Sequence, residues 1–236
     1  ETGQSALDTL PARQKKRRRL LEALKEGNRS ALELSELSGG SRAPIADFLE
    51  KEWIRKEEEV SMPVEFVAAH SLNPEQAGAF GEVADKLHSY ASFLLLGITG
   101  SGKTEVYLNL ISRVVAEGRQ ALVLVPEIAL TPSLEALFRE RFRGARLCVQ
   151  HSNMGAAERA RTWILAGSGE ANIVLGTRLA VFVPMPRLGL IVVDEEQDAS
   201  YKQQEGLRYS ARDLAIFRAS QAKVPALLCS ATPSLE

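Results

Sequence analysis

The sequence predicts an α/β fold, a parallel sheet covered by helices, with a small helical module ahead of it. Three observations predict it. From residue 92 onward, short apolar runs alternate with helix-length segments, the pattern of βα units in a parallel sheet. One run, Phe93 to Leu96, leads into Gly97-Ile-Thr-Gly-Ser-Gly-Lys-Thr104 and then into helical periodicity. The other polar motifs also fall where an apolar run ends, and open α/β sheets bind ligands at that end of their strands.

Composition sets the outer bounds. The chain has 236 residues, 45% apolar and 25% charged, with a formal net charge of −1. That suits one large or two modest globular domains. No apolar run approaches the ~20 residues of a membrane span, and the polar N-terminus lacks a secretory core. The expectation is a cytoplasmic protein with no membrane partner. With so little net charge, polyanion binding has to come from local patches. Cys148 and Cys229 lie in apolar runs and read as buried, reduced thiols.

Residues 1–11 have no periodicity and read as a tail or linker. Arg13 to Arg19 is strongly basic and runs into Leu20, Leu21 and Leu24, a helical apolar stripe. Ser30 and Glu33 form a capping-box pattern before Leu34 and Leu37. A third helix is expected from about Pro44 to Glu52. Trp53 to Lys56 and Val60 to Pro63 read as a short hairpin around Glu57–Glu59. Three short helices followed by a hairpin is the layout of a winged helix, so residues 12–63 are expected to form one, with a basic face suited to DNA. A face that contacts protein, or is simply solvated, fits the same composition.

Residues 63–72 read as a linker, and 64–236 as the α/β domain. Asn73-Pro74 is a good helix start, with Asn at the N-cap and Pro in the first turn. That helix is expected to reach Tyr90. Gln76, in its first turn, offers a donor and an acceptor together and so suits an adenine edge. After the glycine-rich turn a helix covers 103–117. Ala121 to Val125 suits a strand buried on both faces. A helix is expected at 132–142, a strand at 147–149, a helix at 155–166, and strands at 173–175 and 190–193. A helix at 211–220 and a strand at 227–229 complete the pattern.

Gly97-x-x-x-x-Gly102-Lys103-Thr104 between strand and helix is the arrangement of a phosphate-binding loop. Its glycines let successive N–H groups turn inward on an anion. Gly97, Thr99, Gly100, Ser101 and Gly102 would cradle the phosphates. The following helix adds its free N–H groups and positive dipole end. Lys103 would reach the β- and γ-phosphates, and Thr104 would hold Mg²⁺. The apolar strand ending in Asp194-Glu195 supplies the complementary pair. Asp194 suits Mg²⁺ opposite Thr104, and Glu195 suits activation of the attacking water. Residues 198–212 interleave Tyr201, Lys202, Arg208, Tyr209 and Arg212, a composition suited to stacking on unpaired bases. Thr131 and Gly176-Thr177-Arg178 sit at strand ends where they suit a DNA backbone.

In order and spacing these motifs resemble superfamily 2 helicases. Gly97 to Tyr107 is similar to motif I, Leu124 to Thr131 to motif Ia, and Gly176-Thr-Arg178 to motif Ib. Asp194-Glu-Glu-Gln197 resembles motif II, and Ser230-Ala-Thr-Pro233 motif III. Asp198-Ala-Ser-Tyr-Lys-Gln-Gln-Glu-Gly206 with Arg208-Tyr209 narrows the resemblance to the primosomal protein N′ (PriA) family of replication-restart helicases. The resemblance implies a RecA-like lobe behind a winged helix, with ATP and Mg²⁺ at Lys103, Thr104, Asp194 and Glu195 and Gln76 near the adenine. It further implies 3′→5′ DNA helicase activity at stalled forks. The implied partners are forked and single-stranded DNA, primosome loading proteins and single-strand-binding protein. Ser230 and Thr232 would couple hydrolysis to DNA movement, and residues 198–209 resemble that family's aromatic-rich loop. Two departures stand out: Gln197 where His is common, and Leu207 where an aromatic is frequent. The second lobe, its arginine finger and its zinc-binding insertion are not in this sequence, which reads as a fragment. Two further readings fit the motifs, a double-strand translocase and a winged-helix nucleotide switch.

Overall fold

The computed structural model describes residues 10–11, 14–27, 29, 34, 37–39, 41, 43–55, 64–68 and 70–233. The chain divides into two compact units, Glu1–Val60 and Ser61–Glu236.

In the first unit, α1 (Lys15–Lys25) and α2 (Ala43–Glu50) share an apolar core. Leu20, Leu21, Leu34 and Phe48 are buried there, with Ile45, Trp53 and Ile54 packed on them. Arg17 ties the two helices through Asp47 at 2.7 Å, and the Phe48 and Trp53 rings lie 5.5 Å apart. α2 stops two residues before the expected end. Glu52 turns left-handed, and the Trp53 N–H closes back on the Phe48 carbonyl at 2.9 Å. The expected wing strand 60–63, most of the Ser30–Leu37 helix and the 1–11 tail lie largely outside the described residues.

The second unit is a six-stranded parallel sheet with helices on both faces. Its strands are β2 (Ser92–Leu96), β3 (Gln120–Leu124), β5 (Leu147–Gln150), β6 (Ile173–Gly176), β7 (Leu188–Val193) and β10 (Ala226–Ser230), in the spatial order β2-β10-β7-β3-β6-β5. Alternate residues feed opposite cores, as the pleat requires. Ala121, Val123 and Val192 face α3 (Pro74–Ala84) and α4 (Lys103–Ala116). Leu122, Leu124, Ile191 and Val193 face α6 (Ala156–Gly167) and α7 (Ala211–Ala222). β3, β6, β7 and β10 are buried along their length, which explains their unbroken apolar sequences. Both cysteines are buried and unpaired.

Two expectations need correction. The helix that starts at Pro74 ends at Ala84, not Tyr90, because Lys86 and Leu87 donate to carbonyls three residues back and tighten the chain into turns. The segment read as linker contains β1 (Glu65–Phe66), paired antiparallel with β4 (Phe142–Arg143) just after α5 (Pro132–Arg141). Phe66 stacks on Phe142 at 5.3 Å, so the pair is held by ring burial that no local pattern announces. β2 lies at the sheet edge, with Leu94 and Leu96 half exposed.

Gly176 is required where β5 meets β6. A Cβ there would lie 2.4 Å from the Gln150 carbonyl oxygen and 2.6 Å from Ala180 Cβ. Backbone cannot swing aside as a side-chain tip can. Gly176→Ala is therefore expected to lose ~3 kcal/mol, the upper part of the overpacking range, measured by urea unfolding of the chain. A loss below ~1 kcal/mol would show that the β5–β6 crossing relaxes freely.

Candidate nucleotide-binding site

The site forms at the C-terminal ends of β2, β7 and β10. β2 delivers the chain into the turn 97–102, and α4 starts at Lys103. Gly100 (φ +81°) and Gly102 (φ +82°) turn the loop through left-handed backbone, where an L side chain is strained. The loop is tied at both ends. The Gly97 N–H donates to the Ser230 carbonyl of β10 at 3.1 Å, and the Ser101 N–H to the Ile98 carbonyl at 3.1 Å. Lys103 Nζ folds inside the loop, donating to the Gly97 carbonyl at 2.5 Å and the Ile98 carbonyl at 3.3 Å. The ammonium is thus held by two carbonyls of the turn. Thr99 and Ser101 are exposed on the same turn.

Gln76 meets this loop from α3. Asn73 and Gln76 form a reciprocal capping box, each side chain accepting from the other's N–H at 2.9 Å. Gln76 Nε2 donates to the Ser101 carbonyl at 2.9 Å. Each end of the amide is therefore engaged once, so Gln76 braces the phosphate loop and keeps one N–H and one lone pair for a further partner. A Cβ on Gly102 would lie 2.4 Å from that same Nε2.

β7 carries the acid pair. Asp194 Oδ1 accepts the Glu195 N–H at 3.0 Å, and Oδ2 accepts the Tyr107 hydroxyl of α4 at 3.1 Å. Burial raises the Asp194 carboxyl above the usual carboxylate range, against the lowering effects of the Tyr107 bond, the Glu195 N–H and Lys103. Lys103 and Asp194 therefore share one electrostatic neighbourhood. Glu195 adopts a left-handed backbone (φ +47°), an unusual state for glutamate that is found at functional turns. Its Oε2 accepts from Gln197 Nε2 at 2.7 Å. Gln197 Oε1 accepts from Ser230 Oγ at 2.6 Å, and Ser230 Oγ accepts the Thr232 N–H at 3.1 Å. A continuous chain of hydrogen bonds thus joins Glu195 to the end of β10. Glutamine serves as its middle link because its amide donates on one side and accepts on the other.

Holding a desolvated carboxylate at Asp194 costs stability. Asp194→Asn keeps an acceptor for the Glu195 N–H and removes the buried charge. It is expected to raise the Tm of the ligand-free chain by roughly 2–4 °C, equivalent to ~1 kcal/mol. A lowered Tm by calorimetry would show that the carboxylate is a net stabiliser.

The second cluster of sequence-identified residues lies beside this acid turn. Asp198 caps a short 3₁₀ turn, Ala199–Tyr201, and β8 (Lys202–Gln203) pairs with β9 (Tyr209–Ser210). The expected base-stacking role of Tyr201 is corrected by its position. Its ring is 2% exposed and its hydroxyl donates to the Asp194 carbonyl at 2.5 Å, so it is a strut under the acid turn. Burial raises the Tyr107 and Tyr201 hydroxyls well above their ordinary range, and both stay protonated donors. Arg178 does not point outward either. It donates to the Ser200 and Lys202 carbonyls at 3.0 and 3.3 Å and so holds the hairpin base. Thr177 is buried, with its N–H on the Gln150 carbonyl at 2.9 Å, and its side chain is not available to a DNA backbone. Thr131 is exposed and caps α5 through the Leu134 N–H at 3.2 Å. Lys202, Leu207 and Arg208 are exposed, and Tyr209 packs edge-on against Phe182 at 5.1 Å. Lys202, Arg208 and Tyr209 line one shallow groove.

Sequence reasoning gave no role to two neighbours of the acid pair. Tyr107 entered only as the last residue of the motif I resemblance; the available signal was a hydroxyl on a helix face that is otherwise Val, Leu and Ile. Glu196 is nearly buried and pairs with Arg212 at 3.2 Å, which anchors α7 to the acid turn. Among the described residues no helix is long and apolar enough to cross a membrane.

Known proteins share this arrangement. A DEAD/DEAH box helicase family model matches residues 73–236. The replication restart protein PriA of Bacillus subtilis is 46% identical over 167 residues, 70% of this chain and 21% of that protein. Its Haemophilus influenzae counterpart is 48% identical over 167 residues, 70% of this chain and 22% of that protein. The chain thus spans about a fifth of the length of the curated relatives it matches. Among solved structures, RecG bound to a three-way DNA junction superposes with a TM-score of 0.53 at 22% identity, over 73% of this chain and 24% of that one. The Hef helicase domain of Pyrococcus furiosus superposes with a TM-score of 0.50 at 19% identity, over 69% of this chain and 34% of that one. These two likenesses identify the sheet and its helices as a RecA-like lobe. The phosphate loop, the acid turn and the strand-end motifs all fall within the matched region, and the chain belongs to the DEAD/DEAH box helicase family.

Proposed function

We propose that this chain is the ATP-binding portion of a 3′→5′ DNA helicase that acts at stalled replication forks in replication restart and primosome assembly. The observation that carries the reading is the convergence of the phosphate loop and the acid turn, with Tyr107 on the loop's own helix bonded to Asp194 on β7. The likeness to restart proteins at 46–48% identity supports the fork assignment.

Each residue has a part in this reading. The N–H groups of Thr99, Gly100 and Gly102 bind phosphate oxygens, those of Gly97 and Ser101 being spent on carbonyls that shape the loop, and Lys103 swings from the loop carbonyls onto the β- and γ-phosphates. Gln76 positions the loop and borders the nucleotide. Thr104 and Asp194 would hold Mg²⁺, whose charge offsets that developing on the phosphates. The donor set fits, since the Asp194 carboxylate is bonded to Tyr107 on the same helix that carries the Thr104 hydroxyl. Glu195 accepts the proton of the attacking water. Through Gln197, its position is linked to Ser230 and Thr232. The hairpin 202–210 offers Lys202, Arg208 and Tyr209 to single-stranded DNA, and Arg178 and Tyr201 connect its base to the acid turn. Thr131 remains available to a backbone phosphate; Thr177 acts by holding the strand end beneath Arg178.

Residues 12–63 form a winged helix with a basic face for duplex DNA, residues 1–11 its leading tail, and 64–236 the first helicase lobe. Forked DNA, primosome loading proteins and single-strand-binding protein are the partners, and the cytoplasm is the compartment. Zinc belongs to an insertion outside this chain. An arginine from a second lobe is worth ~10³–10⁵ in rate where such a residue acts, so residues 1–236 alone should bind ATP weakly and turn it over barely.

The test is ATP turnover and strand displacement by the full-length protein, with and without forked DNA. The expected result is DNA-stimulated hydrolysis coupled to displacement, both abolished by Lys103→Ala. Translocation on duplex DNA without strand displacement would sink the helicase reading in favour of a double-strand motor.

A further inference from the structure

We infer that Tyr107 is a positioning residue that pre-assembles the divalent-cation site by fixing the Asp194 carboxylate through its hydroxyl, from the helix that carries Thr104. This inference rests on the proposed nucleotide site and deepens it.

Tyr107 lies on α4, three residues after Thr104. Residues three apart on a helix share a face, so the helix that carries the Thr104 hydroxyl also carries the Tyr107 ring beneath it. The ring is fully buried, so its path is fixed by packing against the α3–α4 core. Its hydroxyl reaches Asp194 Oδ2 at 3.1 Å. One phenol oxygen thus ties the helix that carries Thr104 to the carboxylate expected to serve the same cation.

The other Asp194 oxygen is fixed as well. Oδ1 accepts the Glu195 N–H at 3.0 Å, and the Asp194 carbonyl accepts the Tyr201 hydroxyl at 2.5 Å. The carboxylate turns as a rigid plane about its Cβ–Cγ bond, and Tyr107 at Oδ2 and the Glu195 N–H at Oδ1 together set that angle. A phenylalanine would fill the core equally well and would supply no such contact. Groups that orient a metal ligand without touching the metal typically contribute 10–100-fold in metal affinity, and Tyr107 has the placement of such a group. If the hydroxyl were only a satisfied core polar group, its loss would lower stability and leave cation binding alone.

The experiment uses this chain, ADP and Mn²⁺ as a paramagnetic stand-in for Mg²⁺. Binding of Mn²⁺ to the ADP-bound chain is read by electron paramagnetic resonance, and ADP binding in EDTA by calorimetry. Tyr107→Phe is expected to weaken Mn²⁺ binding about tenfold or more, with ADP affinity in EDTA changed less than twofold. Mn²⁺ affinity unchanged within twofold would overturn the inference, as would equal losses with and without the cation. If the unaltered chain holds Mn²⁺ and ADP, and loses them in Lys103→Ala, the nucleotide site stands even where the Tyr107 inference fails. If the unaltered chain holds neither, both fail. Carbon-13 labelling of the tyrosine ζ carbons in the unaltered chain gives a reading that needs no folded Tyr107 variant. Adding Mg²⁺ to the ADP-bound chain should move the Tyr107 resonance, assigned by elimination with Tyr90→Phe, Tyr201→Phe and Tyr209→Phe, and a stationary resonance would overturn the inference.

Discussion

Glu195→Gln in the full-length protein is expected to lower ATP turnover by ~10³ or more while ATP affinity changes less than threefold. The magnitude follows from the role, since a positioned general base contributes ~10²–10⁴ in rate. The substitution preserves shape and removes the proton-accepting oxygen. None of the side chain's present bonding has to be lost. Glu195 Oε2 accepts from Gln197 Nε2 at 2.7 Å, and a glutamine rotamer with its carbonyl on that side can accept the same bond. The left-handed backbone at Glu195 (φ +47°) and its N–H on Asp194 Oδ1 involve no carboxylate oxygen of Glu195. Phosphate release and equilibrium binding of a fluorescent ATP analogue measure the two quantities separately. Turnover within tenfold of the unaltered protein would assign the base elsewhere. Loss of nucleotide affinity equal to the loss of turnover would make Glu195 a binding group.

Much of the site could be read from the sequence because its chemistry is local. The phosphate loop needs glycines, a lysine and a hydroxyl at fixed spacing between a strand and a helix, and residues 97–104 contain all of them in order. Asp194 and Glu195 are equally local, at the end of a run buried on both faces. What the sequence did not disclose is set by contacts between distant segments. Sheet order is one case. Phe93–Leu96 and Ala121–Val125 look alike, yet the first is an edge strand and the second an interior one. The direction of a side chain out of a turn is another. Tyr201 and Tyr209 stand in the same polar, glycine-containing stretch. One turns under Asp194 through the 3₁₀ turn that Asp198 caps, while the other stays partly open beside Phe182. Arg178 has the composition of a phosphate contact and the geometry of a clamp on two carbonyls. In each case the residue type was informative and its partner was not.

The same separation between local pattern and distant partner governs the largest stability effect expected. Glu105→Ala should destabilise the Ser61–Glu236 unit by ~3 kcal/mol. Glu105 sits in the first turn of α4, where its charge suits the helix dipole. Its greater effect lies in pairing with Arg141, at the end of α5 thirty-six positions later. The Arg141 side chain is 3% exposed, its guanidinium lies over the Phe66 ring at 5.4 Å, and its Nε and Nη1 have no hydrogen-bond partner. Once Glu105 is removed, that cation faces only an aromatic ring. Breaking a buried pair from one side typically costs 3–5 kcal/mol, because the remaining charge is desolvated and uncompensated. The low end applies, since Glu105 is 15% exposed and water can reach the gap. Replacing both partners, Glu105→Leu with Arg141→Met, should recover most of the loss, as apolar substitutes for buried pairs often do. Urea unfolding of the two variants decides it. If Glu105→Ala costs under ~1 kcal/mol, the pair behaves as a surface bridge. If the double substitution is no better than the single, then Glu105 acts on the helix start and Arg141 is a bystander. The pair joins α4, two residues beyond Lys103, to the β1–β4 ribbon where Phe66 lies. The segment that the sequence presents as a linker therefore reaches the helix carrying the phosphate-binding lysine, by a contact between three chain regions rather than by any motif.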